Sequence, residues 1–478
     1  MVGRKHETEE LERLYASGRA ELVAVYGRRR VGKTYLIDEV FKDRLAFRHT
    51  GLSPVEAEGK TGGILKAQLQ HFYYSLQMQG MPKSHRPENW LEAFFMLEMF
   101  LQDRDNGERQ VVFLDELPWL DTPRSGFMTA FEGFWNNWCC HRKNVMVIVC
   151  GSASSWIRDK LINNHGGLYG RVTYEIKLSP FTLKECEEYL KSNDVYLSRY
   201  DIAQSYMILG GIPYYLGYFD GGKSFAQNVD RLFFTDKAKL SDEFDRLFDS
   251  TFDSPEFIKN IVRILYNRNA GFTRKEITER LGIADGSRMT ESLRALIASD
   301  FVVRYVPFGF HKNEEHYKLV DPFCNFWLHF MNKQFEGSEN YWLTNQDTPA
   351  VIAWRGLAFE LVCFNHISQI KHALGISGVY TRQSAWSKRG DDTEGTQIDL
   401  LIERNDNILN SCEIKFMGKE FKVDKDYYMV LIRRKNLLSE MISPKVSVHN
   451  TLITTFGLVR NEYSGIFTNV ITLNDLFA

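Results

Sequence analysis

An α/β fold is predicted: a parallel sheet covered by helices in the first part of the chain, then a helical lid, a helix-turn-helix with a β-ribbon, and a second α/β domain. Three observations predict it. Up to about residue 180, short apolar runs alternate with amphipathic segments, the pattern of parallel strands joined by helices. Between 181 and 250 the periodicity is helical, and from about 350 a helix precedes strands of mixed polarity. The chain has 478 residues, 44% hydrophobic and 25% charged, and a chain of that size and composition suits about three ordinary globular domains.

Taken in order, the first-sheet strands are Glu21–Tyr26, Leu45–Gly51, Gln110–Leu114, Asn144–Cys150 and Val172–Leu178, with a helix at Tyr35–Phe41. This core spans 1–180. The lid, 181–250, holds helices at Thr182–Asn193 and Asp201–Leu209, the second followed by Gly210-Gly211-Ile212-Pro213. From 251 to 335 come a helix at Pro255–Asn267, a Thr-capped helix at Thr273–Leu281 stopped by Gly282, a helix at Ser287–Ser299, and two ribbon arms, Phe301–Phe308 and His316–Leu319. That order is a winged helix-turn-helix, followed by an aromatic helical bridge at Pro322–Phe335. The last domain, 336–478, begins with a helix at Ala353–Gln369. Strands follow at Val379–Ser384, Thr396–Arg404, Leu409–Phe416, Lys445–Thr455 and Phe467–Leu473, with a charged helical stretch before the last two.

Between the first strand and helix lie Gly27-Arg28-Arg29-Arg30-Val31-Gly32-Lys33-Thr34, which match G-x-x-x-x-G-K-[ST] at every specified position. A turn entering a helix N-terminus surrounds a phosphate with backbone N–H groups and a positive dipole end. Gly27 and Gly32 allow close backbone approach, Lys33 reaches the β/γ-phosphates, and the Thr34 hydroxyl holds Mg²⁺. Arg28, Arg29 and Arg30 fill positions the pattern leaves free, so their charges are either a device of the site or solvated. The ligand is a nucleotide, with ATP and Mg²⁺ as expected cofactors.

Val111-Val112-Phe113-Leu114-Asp115-Glu116 is an apolar strand ending in two carboxylates. Asp115 suits the Mg²⁺ shell, and Glu116 suits orienting or deprotonating the attacking water. The strand ending in Cys150-Gly151-Ser152 makes Ser152 a sensor candidate, with a plain Gly-Ser turn as the alternative. Arg171, in Tyr169-Gly170-Arg171, is an arginine-finger candidate acting in cis or from a neighbouring subunit of a homo-oligomer; a surface salt bridge is the competing account.

Together with Gly3-Arg4, Glu7 and Gly211-Ile212-Pro213, these residues resemble the archaeal-type ATPase family, a P-loop NTPase group near the STAND and AAA+ proteins. The resemblance implies that Pro213 contacts the nucleotide base and that Arg4 marks an N-terminal segment lying over the adenine. It also implies switch-like or motor-like use of ATP, a winged helix, and a C-terminal nuclease-like domain.

Ile398-Asp399-Leu400-Leu401-Ile402 and Cys412-Glu413-Ile414-Lys415-Phe416 flank a turn at Asn405-Asp406-Asn407. Period-two alternation brings Asp399, Glu413 and Lys415 to one edge of this hairpin. The spacing D-x13-E-x-K resembles the PD-(D/E)xK nuclease superfamily, of restriction-endonuclease-like fold. Asp399 and Glu413 would bind Mg²⁺, Lys415 would polarise water or the scissile phosphate, and Glu360 matches an acid that many members add. A charged hairpin without chemistry, or an inactive nuclease fold kept for binding, is the alternative.

Charge limits the partners. Net charge is −2, so nucleic-acid binding, to DNA or RNA, requires a local patch. Between Arg274 and Asp300 five basic residues face five acidic ones, a poor balance for phosphate contacts. An intramolecular role for the winged helix, passing on the nucleotide state, therefore stands equal to DNA reading. The seven cysteines are scattered without a C-x-x-C pair, which suggests neither zinc nor disulfides. Arg4 and Lys5 are followed by acids rather than a leader-like apolar run, and the apolar stretch Tyr206–Phe219 is too short for a membrane span and holds Pro213. The expectation is a cytoplasmic ATP-dependent switch, not associated with a membrane, gating a metal-dependent nuclease; the alternative is an ATPase scaffold whose last domain binds without cutting.

Overall fold

Buried on both faces, Glu21–Tyr26 (β1), Gln110–Asp115 (β3) and Val145–Gly151 (β4) form the middle of a five-stranded sheet with Leu45–Thr50 (β2) and Tyr174–Lys177 (β5). The strand order is β2-β3-β4-β1-β5 and every pair is parallel. Burial on both faces is why these strands read as unbroken apolar runs rather than as alternating ones. The computed structural model describes residues 1–53, 63–252, 254–310, 314–331, 340–388 and 396–478, without the side chains of residues 387, 388, 396 and 399.

The chain forms two units: Met1–Ser179 with Leu247–Pro255 and Arg294–Asp300, and Pro180–Arg246 with Glu256–Leu293 and Phe301–Ala478. In the first, helices Gly63–Met78, Trp90–Gln102 and Phe127–Gly133 carry the aromatic part of the core. Phe94 stacks on Phe134 with centroids 5.1 Å apart, and Trp90 meets Phe127 edge-on at 5.0 Å, both favoured ring geometries.

In the second unit, the helix Leu183–Ser192 starts at a reciprocal cap, Thr182 with Glu185, and Arg274–Leu281 starts at another, Thr273 with Glu276, and ends at Gly282 with φ 66°. Such caps satisfy the orphan N–H groups of the first turn, so both starts were readable from local chemistry. Phe272–Thr273 (β6), Val302–Tyr305 (β7) and His316–Leu319 (β8) form an antiparallel sheet in the order β6-β8-β7. The chain beyond β7 does not end in solvent: the Phe308 N–H donates to the Ala385 carbonyl at 3.0 Å. Its ring packs with Trp386, Ile398, Leu401 and Leu438.

Thr381–Lys388 (β9), Thr396–Arg404 (β10), Ile408–Lys415 (β11), Ser447–Thr454 (β12) and Asn469–Thr472 (β13) make the last sheet, in the order β13-β12-β11-β10-β9. β9, β10 and β11 run antiparallel, whereas β12 and β13 join β11 in parallel, with the helix Lys425–Met441 as the crossover. The single helix expected at Ala353–Gln369 is instead a pair, Pro349–Asn365 and Ile367–Ala373, bent by 78°. His366 causes the break. It leaves the helical region at φ −118°, so that its buried ring pairs Nδ1 with the Val362 carbonyl at 2.7 Å and accepts the Leu183 N–H at Nε2 at 2.9 Å. Among the described residues no single helix is long and apolar enough to cross a membrane; only this bent pair has the length and composition, and its apolar side chains Trp354, Phe359 and Val362 are buried in protein.

Two buried imidazoles give the fold a pH dependence. Burial pushes His49 down to about 3, helped by neighbouring His71, and pushes His366 down to about 4 against its bond to Val362. A folded-state value below the ordinary 6.5 means stability is fully present above that pH and is lost as pH falls through the folded values. Denaturant midpoints should therefore decline between pH 6.5 and 4, and His366→Gln should flatten part of that decline.

Candidate nucleotide site and a second carboxylate cluster

The strand order puts the C-terminal ends of β1, β4 and β3 side by side on one edge of the first sheet, where ligands of open parallel sheets bind. β1 runs into the loop Gly27–Thr34, and the helix Lys33–Phe41 leaves it. Gly27 cannot be replaced, because a Cβ there would lie 2.2 Å from the Leu178 carbonyl oxygen; Gly32 takes φ 93°, which favours glycine. The Lys33 ammonium is buried and donates to the carbonyls of Gly27 and Arg28, each at 3.0 Å. Arg28 is also buried, whereas Arg29 and Arg30 are half-buried; Val31 is buried, and its carbonyl accepts from Arg4 Nη2 at 3.2 Å. The same Arg4 nitrogen reaches the Ser179 carbonyl at 2.7 Å. Arg4 therefore clamps the loop to the chain after β5, a contact the sequence did not suggest.

Thr34 Oγ1 donates to Asp115 Oδ2 at 2.8 Å. Burial, and then the charge of Glu116, hold the Asp115 carboxyl above the ordinary carboxylate range, while Thr34 pulls the other way. Glu116 follows in a left-handed conformation, φ 47°, uncommon for a non-glycine residue. That turn aims its Oε2 at Ser152, whose N–H and hydroxyl both donate to it, at 3.0 and 2.9 Å. Ser152 is thus the partner of Glu116. Arg171 is exposed, and its side chain has no hydrogen bond or ion pair among the described residues. Pro213 belongs to the second unit, where it opens the short helix Pro213–Leu216.

Two hard oxygen donors, a hydroxyl and a carboxylate, meet at Thr34 and Asp115, the donor set that suits Mg²⁺. A cation there would also relieve the charge that burial penalises on Asp115. The residues present therefore fit the metal.

The second cluster gathers on Glu413. Glu413 and Lys415 do meet, Nζ to Oε1 at 2.8 Å. Arg434 Nη1 takes the other carboxylate oxygen at 2.8 Å, and the Tyr427 hydroxyl donates to Oε1. Tyr427 and Arg434 come from one face of the helix Lys425–Met441 and escaped the sequence reading, although their seven-residue spacing could have paired them. Burial would lower Lys415, but Glu413 and Tyr427 outweigh it and hold the ammonium above its ordinary value. Burial, then Glu413, push Tyr427 up to about 12.

Asp399 lies in β10, but its side chain is outside the described residues. The pairing of β10 with β9 shifts between Ile398 and Leu401, a bulge that re-aims a strand locally. Glu360 Oε2 accepts from Asn269 Nδ2 at 2.6 Å. Among the described residues no group of three or more His, Cys, Asp and Glu side chains is placed to hold a metal.

Comparison with known proteins bears on the first site. Residues 1–219 match the family model of an ATPase domain predominantly from Archaea. Over 450 residues the chain is 24% identical to an uncharacterized protein of Methanocaldococcus jannaschii, spanning 91% of this chain and 92% of that one. A stretch of 43 residues is 49% identical to an uncharacterized ATP-binding protein of the same organism, covering 9% of this chain and 73% of the relative. Among solved structures, a Walker-type ATPase of Pyrococcus abyssi is similar at 19% identity with a TM-score of 0.49, over 69% of this chain and 96% of that one. The ORC2 protein of Aeropyrum pernix is similar at 14% identity and a TM-score of 0.38, over 69% and 93%.

The strained charge at Asp115 makes a prediction that separates stability from function. Its folded-state value is raised, so the ionised form costs the nucleotide-free fold stability at neutral pH, and that cost vanishes as pH falls below the unfolded value. Asp115→Asn should raise the thermal midpoint of the nucleotide-free protein while removing Mg²⁺-dependent ATP turnover. Scanning calorimetry and a phosphate-release assay on the same preparation check both halves.

Proposed function

We propose that this chain is an ATP-hydrolysing switch whose nucleotide state gates its C-terminal nuclease-like domain, acting on nucleic acid. The observation that carries the first half is the Thr34–Asp115 contact beside the Glu116–Ser152 pair on one sheet edge. Thr34 and Asp115 would hold Mg²⁺, which when bound neutralises charge on the β- and γ-phosphates. Lys33 exchanges the Gly27 and Arg28 carbonyls for phosphate oxygens, and the backbone N–H groups of the loop bind the rest of the anion. Glu116, once turned from Ser152, is the base that orients the attacking water and takes its proton. Ser152, released in the same exchange, donates to the terminal phosphate; that shared contact makes it a sensor. Arg171, exposed and without a side-chain partner among the described residues, supplies transition-state charge. Arg4 marks the segment that would lie over the base, Pro213 is the base contact that the family resemblance implies, and Arg28, Arg29, Arg30 and Val31 line the loop.

The second half is supported by Lys415 and Arg434 gathered on Glu413 at the end of β11, two cations suited to a phosphodiester. Asp399, Glu413 and Glu360 are the acids that would bring Mg²⁺ to it. One observation favours a second reading: Glu413 already carries two ion pairs and a tyrosine hydroxyl, which leaves it little capacity for a metal. In that reading the domain binds nucleic acid or a protein without cutting.

Lys33→Ala should weaken ATP binding by a factor on the order of a hundred, measured by equilibrium dialysis, since a desolvated charge contact to phosphate is lost. Asp399→Ala should abolish Mg²⁺-dependent or Mn²⁺-dependent cleavage of DNA or RNA and leave ATP turnover intact. If the wild-type protein with either metal and ATP cuts no form of DNA or RNA, the gated nuclease is wrong and the binding platform stands.

A further inference from the structure

Arg29 sits at one of the positions of the loop that the phosphate-binding pattern leaves unspecified, and its side chain has an unusual resting place. Its guanidinium carbon lies 6.0 Å from the centroid of the Trp119 ring, the outer edge of cation–π range. Its Nη1 is buried and has no hydrogen-bond partner among the described residues. A buried guanidinium nitrogen without an acceptor carries a desolvation cost that an acceptor would remove.

Trp119, by contrast, is anchored. Its N–H donates to the Glu116 carbonyl at 2.9 Å, and its carbonyl accepts from Gln68 Nε2 at 2.8 Å. Gln68 is fully buried and pairs with both the N–H and the carbonyl of Leu52, at 3.0 and 2.8 Å. Gly51 lets this loop rest directly on the end of β2, since a Cβ there would lie 2.9 Å from the Glu116 carbonyl and 3.1 Å from Trp119 Cβ. The backbone that carries the indole is fixed one turn after Glu116, and the arginine, whose Nη1 has no acceptor among the described residues, is the member free to move.

We propose that Arg29 distinguishes a bound nucleoside triphosphate from a diphosphate, resting on Trp119 without the terminal phosphoryl group and leaving the ring to bond that group when it is present. The direction of its lean supports the terminal group: Arg29 extends toward the loop that bears Glu116, whereas Lys33 lies inside the phosphate loop on the Gly27 and Arg28 carbonyls. A planar guanidinium fork matches phosphoryl oxygens, and it exchanges a weak aromatic contact for charge-assisted hydrogen bonds. Departure of Arg29 also unties the phosphate loop from the Glu116 loop, so the residue that reads the phosphate loosens the loop that carries the base. This rests on the ATPase reading of the site.

The test uses the full chain with Mg²⁺. Affinities for ADP and for a non-hydrolysable ATP analogue are measured by calorimetry, alongside tryptophan emission, in the wild type, Trp119→Phe, Arg29→Gln and Arg29→Lys. The analogue should change the emission of the wild type and ADP should not, and the change should vanish in Trp119→Phe. Arg29→Gln should lower the triphosphate-to-diphosphate affinity ratio about tenfold, the loss of one charge-assisted contact, with ADP affinity kept within about twofold, and Arg29→Lys should restore part of the ratio. An unchanged ratio in Arg29→Gln overturns the proposal and leaves Arg29 as a structural staple. If Arg29→Gln does not fold, equal responses of the Trp119-specific emission to ADP and to the analogue overturn it. A wild-type protein that binds neither nucleotide instead overturns the ATPase reading, which separates the two failures.

Discussion

The hydrogen bond from Thr34 to Asp115 joins two strands that do not touch, since β4 runs between β1 and β3. Everything at the nucleotide site depends on that spacing. In a parallel sheet all strands end on the same edge, so the loop after β1, the carboxylates after β3 and Ser152 after β4 are gathered by backbone pairing alone. The buried apolar strands hold the edge rigid, and Arg4 ties the loop to the far side of β1 at Ser179. A rigid edge matters because charge must be stabilised by groups already in place.

Each key side chain of this edge rests on another part of the protein. Lys33 rests on loop carbonyls, Glu116 on Ser152, Asp115 on Thr34 and Arg29 on Trp119. The contacts are a cation on carbonyl oxygens, a carboxylate on two donors and a guanidinium near a ring. In the proposed function a bound nucleotide would exchange several of them at once. The raised proton affinity of Asp115 comes from its burial and then from the charge of neighbouring Glu116.

The second unit shows how much tertiary context changes a motif. Glu413 and Lys415 are two residues apart on β11, and alternation alone puts them on one face. Their partners Tyr427 and Arg434 arrive only because the crossover helix packs beside that strand. The pairing of β10 with β9 shifts register between Ile398 and Leu401. Phe308, expected at the end of a ribbon arm, is instead part of the last sheet's core. At Glu413 and at Phe308 the cause is the same: a side chain finds a charge or burial partner that is distant in sequence.

By itself the sequence determined what depends on neighbours a few residues away. β1 and β10 have the boundaries expected, and the caps at Thr182 and Thr273 and the stop at Gly282 follow from local hydrogen bonding. The phosphate loop was legible for the same reason, since its glycines, lysine and threonine act within one turn. Tertiary structure alone decided which distant charges meet: Arg4 with Ser179, Glu116 with Ser152, Glu413 with Arg434, and the bend at His366 set by a bond from Leu183. Strand order and helix packing bring those partners together, and neither is written in the spacing of residues along the chain.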